Sequence, residues 1–303
     1  MNKRTSPWLL LLASALWGSS FIASKICIAS GMQPFEIVFY RFAWGSALTW
    51  LLFHKQLRPI SKSAFRTGGL LGISTSIAFT FEMFGLTMTE ASKASFLAAT
   101  HIIILPLLYA LYYRVRLGTA SVLAAGLAAF GVGVISLSSG FGSLAWGDLL
   151  MLASAFMCAV NSMIVTVLGK DDSGLQISFV QFMTTAVIMG CLTLLQGIGT
   201  NHPLSAYAGA AFLSVFPTVV CYLIKNIAMQ RLDPVQCTLI LSTESIFCTC
   251  FSVLLLGDTF TMRLFIGALF IGCAIVIAIL YPTQRCTKPF SMKCHTAEQM
   301  SEQ

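Results

Sequence analysis

Ten stretches of this chain are apolar for about the length of a bilayer: Trp8–Ala29, Pro34–Phe53, Gly68–Met88, Ala91–Tyr113, Ala120–Leu137, Leu149–Leu168, Leu175–Gln196, Ala206–Met229, Val235–Leu256 and Leu264–Tyr281. A helix needs about 20 apolar residues to cross the hydrocarbon. Backbone polar groups must be satisfied there without water, so runs this long are helices rather than the alternating ten-residue strands of a barrel. The links carry stop signals: Gly31 to Pro34, Arg58-Pro59, Ser138 to Gly147, Asn201 to Pro203 and Asp233-Pro234. Composition agrees, because 57% of the residues are hydrophobic and only 10% charged, against roughly 25% in a soluble domain. The expected fold class is an all-α integral membrane protein with ten transmembrane helices.

The chain also repeats itself. Leu9-Leu10-Leu11-Leu12-Ala13-Ser14-Ala15 returns as Leu149-Leu150-Met151-Leu152-Ala153-Ser154-Ala155, an offset of 140. That offset pairs Ile37 with Ile177, Phe42 with Phe182 and Leu52 with Leu192; an offset of 141 pairs Met88 with Met229, Gly126 with Gly267 and Gly131 with Gly272. One unit written twice is the simplest source of such a register. The domains expected are a first five-helix repeat at 1–140, a second at 141–281 and a polar cytoplasmic tail at 282–303. Five crossings is an odd number, so the second copy enters the membrane upside down. Inverted repeats of this kind are a common body plan of alternating-access carriers.

Charge sets the expected orientation. Thirteen Lys and Arg residues, from Lys3, Arg4, Lys55, Arg58, Lys62 and Arg66 through to Lys293, fall in links on one side, and Lys93 and Arg263 on the other. The excess puts both termini in the cytoplasm of a cell-membrane protein. It also accounts for the net charge of +7 without a nucleic-acid partner. The Lys3-Arg4 start resembles a secretory signal, but the following apolar run is longer than a signal core and reads as a retained first span. The ten cysteines form no CxxC unit, and Cys286, Cys294 and His295 are too loose a set for a metal. No cofactor is called for.

Ionisable residues inside spans are costly, about 2.5–3.5 kcal/mol on insertion scales, and so face a protein interior or a wet cavity. Counting along the helices puts Glu244 and His101 at mid-depth, on helices that the repeat pairs with each other. Lys25, Glu36, Arg41 and Glu82 fall in the outer half and Lys225 in the inner half. Lys225 shares a helical stripe with Thr218, Tyr222 and Asn226. The substrate-binding candidates are therefore Trp17, Glu82, His101, Tyr222, Lys225 and Glu244. Arg41, Glu36 and Lys25 are candidates for structure or gating; Arg41 and Glu36 could pair near the surface, and Lys25 could snorkel outward. Each also has an ordinary reading as a buried hydrogen-bonding or packing residue, and Trp17 with Gly18 as plain helix packing. Small residues recur every fourth position at Ala125, Ala129 and Gly133, and at Ala268 and Gly272, marking a close helix contact within the chain or across a homodimer.

With these residues in view the chain resembles the EamA-type carriers of the drug/metabolite transporter superfamily over nearly its whole length. The family's Arg-Phe pair in helix two is similar to Arg41-Phe42. Its Glu-Pro in helix nine, followed by a Leu-rich run ending Gly-Glu, is similar to Glu244-Ser245 and Leu254-Leu255-Leu256-Gly257-Asp258, with the proline missing and the last acid shortened. Leu105-Pro106 followed by Arg114-Val115-Arg116 resembles the corresponding first-half segment. The resemblance implies two inverted five-helix repeats and movement of small polar metabolites, often amino acids and frequently outward.

The expected function is a secondary transporter of a small polar metabolite working around a midplane site, with proton coupling and facilitated diffusion both open. A nucleotide-linked or drug-like substrate is the alternative within the class; a large anion would draw on several cations such as Lys25, Arg41 and Lys225, which the depth count places in different layers. An integral membrane enzyme would need clustered acids or histidines at one interface, where only Asp171-Asp172 stands, more simply read as a solvated turn. A channel would need rings of charge or carbonyls around a pore. The partners expected are a small-molecule substrate and the lipid bilayer.

Overall fold

A computed structural model describes residues 6–114, 119–136, 146–170, 172–197, 202–231, 237, 240–241, 243–259 and 261–280. Among the described residues all regular structure is helical. The first half contributes α1 (Ser6–Ala29), α2 (Pro34–Leu57), α3 (Lys62–Met88), α4 (Ala91–Ala99), α5 (His101–Tyr113) and α6 (Thr119–Ser136). The second contributes α7 (Trp146–Leu168), α8 (Gly174–Gln196), α9 (Leu204–Leu213), a π-helical segment (Ser214–Val220), α10 (Cys221–Arg231), α11 (Glu244–Leu255) and α12 (Met262–Leu280). Among the described residues six helical stretches are long and apolar enough to cross a membrane: α1, α3, α4 with α5, α7, α8, and α9 through α10. At 24 residues α2 is as long, but it carries Glu36, Arg41 and Lys55. Shorter apolar helices lie at Val122–Gly131, Glu244–Leu255 and Met262–Ala274.

Several helices outrun their apolar stretches. α3 begins six residues early, at Lys62, because Ser61 accepts a hydrogen bond from the Ala64 N–H at 3.0 Å and so caps a polar first turn. Hydropathy cannot detect such a turn. The fourth expected span bends at Thr100, whose hydroxyl turns back to the Leu97 carbonyl at 2.6 Å, so that α5 starts afresh at His101. Of the expected span Val235–Leu256, residues 235–236, 238–239 and 242 lie outside the described residues, as does the tail at 282–303.

The packing is inside-out relative to a soluble protein. Leu51, Leu111, Leu195, Leu204 and Leu254 stand exposed, whereas Arg41, Asn161, Gln181 and Asn226 are buried. An apolar exterior this extensive requires lipid as its solvent. Inside, α3 packs on α7 and α8, α2 on α8, α1 on α11 and α9, and α6 on α12. Two glycines set the closest approaches. A Cβ on Gly18 would sit 2.8 Å from the Glu244 carbonyl and the Cys248 N, so α1 rests directly on the start of α11. One on Gly131 would meet the Gly267 carbonyl at 2.8 Å. The α6–α12 contact thus lies within the chain and is centred on Gly131, Gly267 and Ile271 rather than on the every-fourth stripe, where Gly133 and Gly272 meet open space.

Candidate functional site

The site begins with a proline. Pro217 falls inside a helix, where its ring collides with the carbonyl four residues back, Leu213, and offers that carbonyl no N–H. The chain widens there into a π segment, and the neighbouring Thr218 hydroxyl donates to the abandoned Leu213 carbonyl at 2.8 Å. The Pro217 carbonyl accepts from Trp17 Nε1 at 2.8 Å. Arg41 Nε donates to the same Thr218 oxygen at 2.7 Å. One local irregularity thus ties α1 and α2 to the turn from which Tyr222 and Lys225 project. π segments of this kind are frequent at functional sites.

Around this turn lies a box of aromatic rings. Tyr222 meets Trp17 edge-on at 5.5 Å, and Phe42 and Phe182 at 6.0 and 5.8 Å. The Arg41 guanidinium stands 4.6 Å over Phe79 and the Lys225 ammonium 5.6 Å over Tyr222, close enough for cation–π attraction. Lys225 Nζ donates to Asn161 Oδ1 at 3.1 Å. Asn161 in turn donates to Ser74 and Thr75, at 2.9 and 3.0 Å, Gln181 donates to Thr75 at 2.8 Å, and Asn226 to Ser178 and Gln181. This amide ladder joins α3, α7, α8 and α10 under the lysine.

Two carboxylates complete the cluster. Glu244 is 8% exposed; its charge interacts with those of Glu82 and Lys225, and the charge of Glu82 with that of Arg41. Glu82 is half-buried, and among the described residues neither carboxylate has a side-chain hydrogen bond. The cluster therefore offers two buried cations, two carboxylates without hydrogen bonds, and aromatic walls. His101 sits at its edge, within reach of the Lys225 charge, with Nδ1 donating to the Ala98 carbonyl at 2.8 Å.

All six substrate-binding candidates, Trp17, Glu82, His101, Tyr222, Lys225 and Glu244, thus come together, and Arg41 joins them. The depth count set Arg41 and Lys225 in different layers, yet Arg41 lies 5.8 Å over Phe42 and Lys225 5.6 Å over Tyr222, two rings in contact, because long side chains carry their charges away from the depth of their own backbone. Arg41 also does not turn to Glu36. Glu36 accepts from the Gln33 N–H at 2.9 Å and faces His202 Nε2 at 3.1 Å, whereas the Arg41 guanidinium turns inward. Lys25 stays apart, half-buried near the charges of Asp258 and Glu90. Asp172 is more than a solvated turn, since it accepts from Ser63 at 2.9 Å and from Ser61 and Thr67; Asp171 lies outside the described residues. Sequence reasoning passed over Asn161 and Gln181. The repeat held a signal for the second, because Gln181-Phe182 stands where Arg41-Phe42 stands in the first half.

An apolar-jacketed helix bundle with a buried polar cluster defines a multi-pass membrane protein. The EamA-like transporter family model matches twice, over residues 5–137 and 145–280, and the chain belongs to that family; it is a membrane transporter. An uncharacterized transporter of Archaeoglobus fulgidus is 26% identical over 271 residues, 89% of this chain and 84% of that protein. A crystal structure of a protein at 20% identity superposes with a TM-score of 0.69 over 92% of this chain and 98% of that one, a likeness of fold alone. Family and relative point to transport rather than enzymatic turnover.

Proposed function

We propose that the chain is a secondary carrier for a small zwitterionic metabolite, an amino acid or a close relative, chiefly in the outward direction across the cytoplasmic membrane. The observation that carries this reading is the balance of the cluster. Glu82 and Glu244 offer acceptors to an ammonium group, Arg41 and Lys225 offer donors to a carboxylate, and Trp17 and Tyr222 flank the space for an apolar portion. A large polyanion such as a nucleotide sugar fits less well, because the two carboxylates would oppose it and Lys25 stands at a distance.

Alternating access is proposed on the doubled build: ten spans as inverted repeats at 1–140 and 141–281, with both termini cytoplasmic. The helix pairing supports it. Exchanging the halves turns the α1–α11 contact into α7 against α4 and α5, turns α3–α8 into the π segment against α2, and returns α2–α8 and α6–α12 to themselves, all of which are contacts the bundle makes. The twofold match of one family description supports it as well. The test is flux in proteoliposomes loaded with candidate amino acids. Saturable counterflow is expected, cut at least ten-fold by Glu244→Gln; full flux in both Glu244→Gln and His101→Ala would remove this site.

A further inference from the structure

A groove of about 280 Å3 opens on the outer surface of the bundle, lined by Ile60, Phe65, Phe179, Met183, Thr184 and Val187 among others. It runs along α8 from Phe179 to Ile188, about 13 Å at helical rise, toward mid-membrane. It lies outside the polar cluster, and its lining is apolar apart from Thr184.

The lower end of the groove is basic. Arg58 lies 4.8 Å over the Trp50 ring, and Trp50 stacks at 5.7 Å on Phe179, which lines the groove. Lys62 and Arg66 are exposed on the first turns of α3 on either side of Phe65, also a lining residue; four residues apart, they share a helix face. The segment carrying Arg58 is held against α8, with Gln176 Nε2 donating to the Pro59 carbonyl at 2.9 Å. Among the described residues Asp172 is the acid on this rim, and its oxygens already accept from Ser61, Ser63 and Thr67. Among the described residues no carboxylate forms an ion pair with Arg58, Lys62 or Arg66.

We propose that this is a binding site for an anionic phospholipid of the leaflet on the Lys- and Arg-rich side. One acyl chain lies in the groove along α8, and the phosphate headgroup rests on Arg58, Lys62 and Arg66. The charge complementarity argues for that occupant. A guanidinium presents a donor fork that matches a phosphate, basic residues at a membrane surface attract anionic lipid, and an apolar groove beginning at the headgroup level suits an acyl chain. Basic residues scattered only to set orientation would need neither the groove nor the Arg58–Trp50–Phe179 stack.

The experiment is thermal unfolding of the purified full chain in detergent, titrated with phosphatidylglycerol or phosphatidylcholine of the same acyl chains. Phosphatidylglycerol is expected to raise Tm saturably and phosphatidylcholine to have little effect. Removing the three cations in R58Q/K62Q/R66Q weakens the apparent affinity on the order of 100-fold, at about five-fold per charge, while Arg114→Gln, on the same membrane side but away from the groove, leaves it unchanged. Val187→Trp fills the upper groove and weakens long-chain phosphatidylglycerol more than a short-chain form. Equal stabilisation by both lipids overturns the proposal, as does a loss in Arg114→Gln equal to that in the triple variant, or long-chain affinity indifferent to Val187→Trp. The readout is independent of transport, so failure here leaves the proposed function standing, and the reverse holds too.

Discussion

Thr218 is the most economical place to test how the site is held. Its side chain is fully buried and makes two bonds: it accepts from Arg41 Nε at 2.7 Å and donates to the Leu213 carbonyl at 2.8 Å. Thr218→Val keeps the shape of the residue and deletes both. The guanidinium is left with a buried donor unpaired, at about 1–3 kcal/mol or more because it is charged, and the orphaned Leu213 carbonyl adds a penalty of the same kind. A combined loss of about 3 kcal/mol is expected. At roughly 2–4 °C per kcal/mol for a chain of this size, that lowers Tm by roughly 6–12 °C. Freed from Thr218, Arg41 no longer holds its place over Phe79, so substrate affinity should fall about ten-fold or more. Thermal unfolding with and without substrate measures both effects. Thr218→Ser, which keeps the hydroxyl, should restore Arg41's partner and most of the affinity. If Val and Ser variants unfold at the same temperature, the claim that this hydroxyl organises the site is wrong.

Two further outcomes follow from the packing. Gly18→Ala drives a methyl to within 2.8–2.9 Å of Glu244 and Cys248 backbone atoms and the Phe247 Cβ, none of which is a flexible side-chain end; an overpacking loss of about 1–3 kcal/mol should appear as a lower Tm together with weakened substrate binding, because Glu244 moves with α11. Lys93 Nζ lies 2.8 Å from Asp148, whose carboxylate is fully buried. Lys93→Met should therefore cost about 3–5 kcal/mol in equilibrium unfolding, whereas Lys93→Met combined with Asp148→Leu should recover much of it.

Most of the helical layout was legible because lipid allows so few alternatives. A run such as Leu149–Leu168 has no competing structure, and α7 is there, extended only to Trp146. The site residues were legible for the same energetic reason: a Glu or Lys in mid-span must have a purpose or a partner. What periodicity could not supply was direction. Arg41 and Lys225 looked layers apart by backbone depth, but the reach of their side chains, with Arg41 held by Thr218 on the π turn, brings both charges to the rings of Phe42 and Tyr222. Asn161 and Gln181 escaped notice because uncharged amides are cheap enough in a helix not to stand out. Asn161 is informative only once Ser74, Thr75 and Lys225 are seen around it.

The central claim is that the quartet Arg41, Glu82, Lys225 and Glu244 reads both ends of a zwitterion. Equilibrium binding of an amino acid, its carboxamide and its des-amino acid to wild type, Glu244→Gln and Lys225→Met tests it most directly. Deleting the ligand's ammonium should cost wild type about ten-fold or more, since charged hydrogen bonds contribute about 1.5–3 kcal/mol, yet cost Glu244→Gln much less; neutralising the ligand's carboxylate should show the same pattern with Lys225→Met. Losses that simply add, with each variant as sensitive to its ligand change as wild type, would contradict the account.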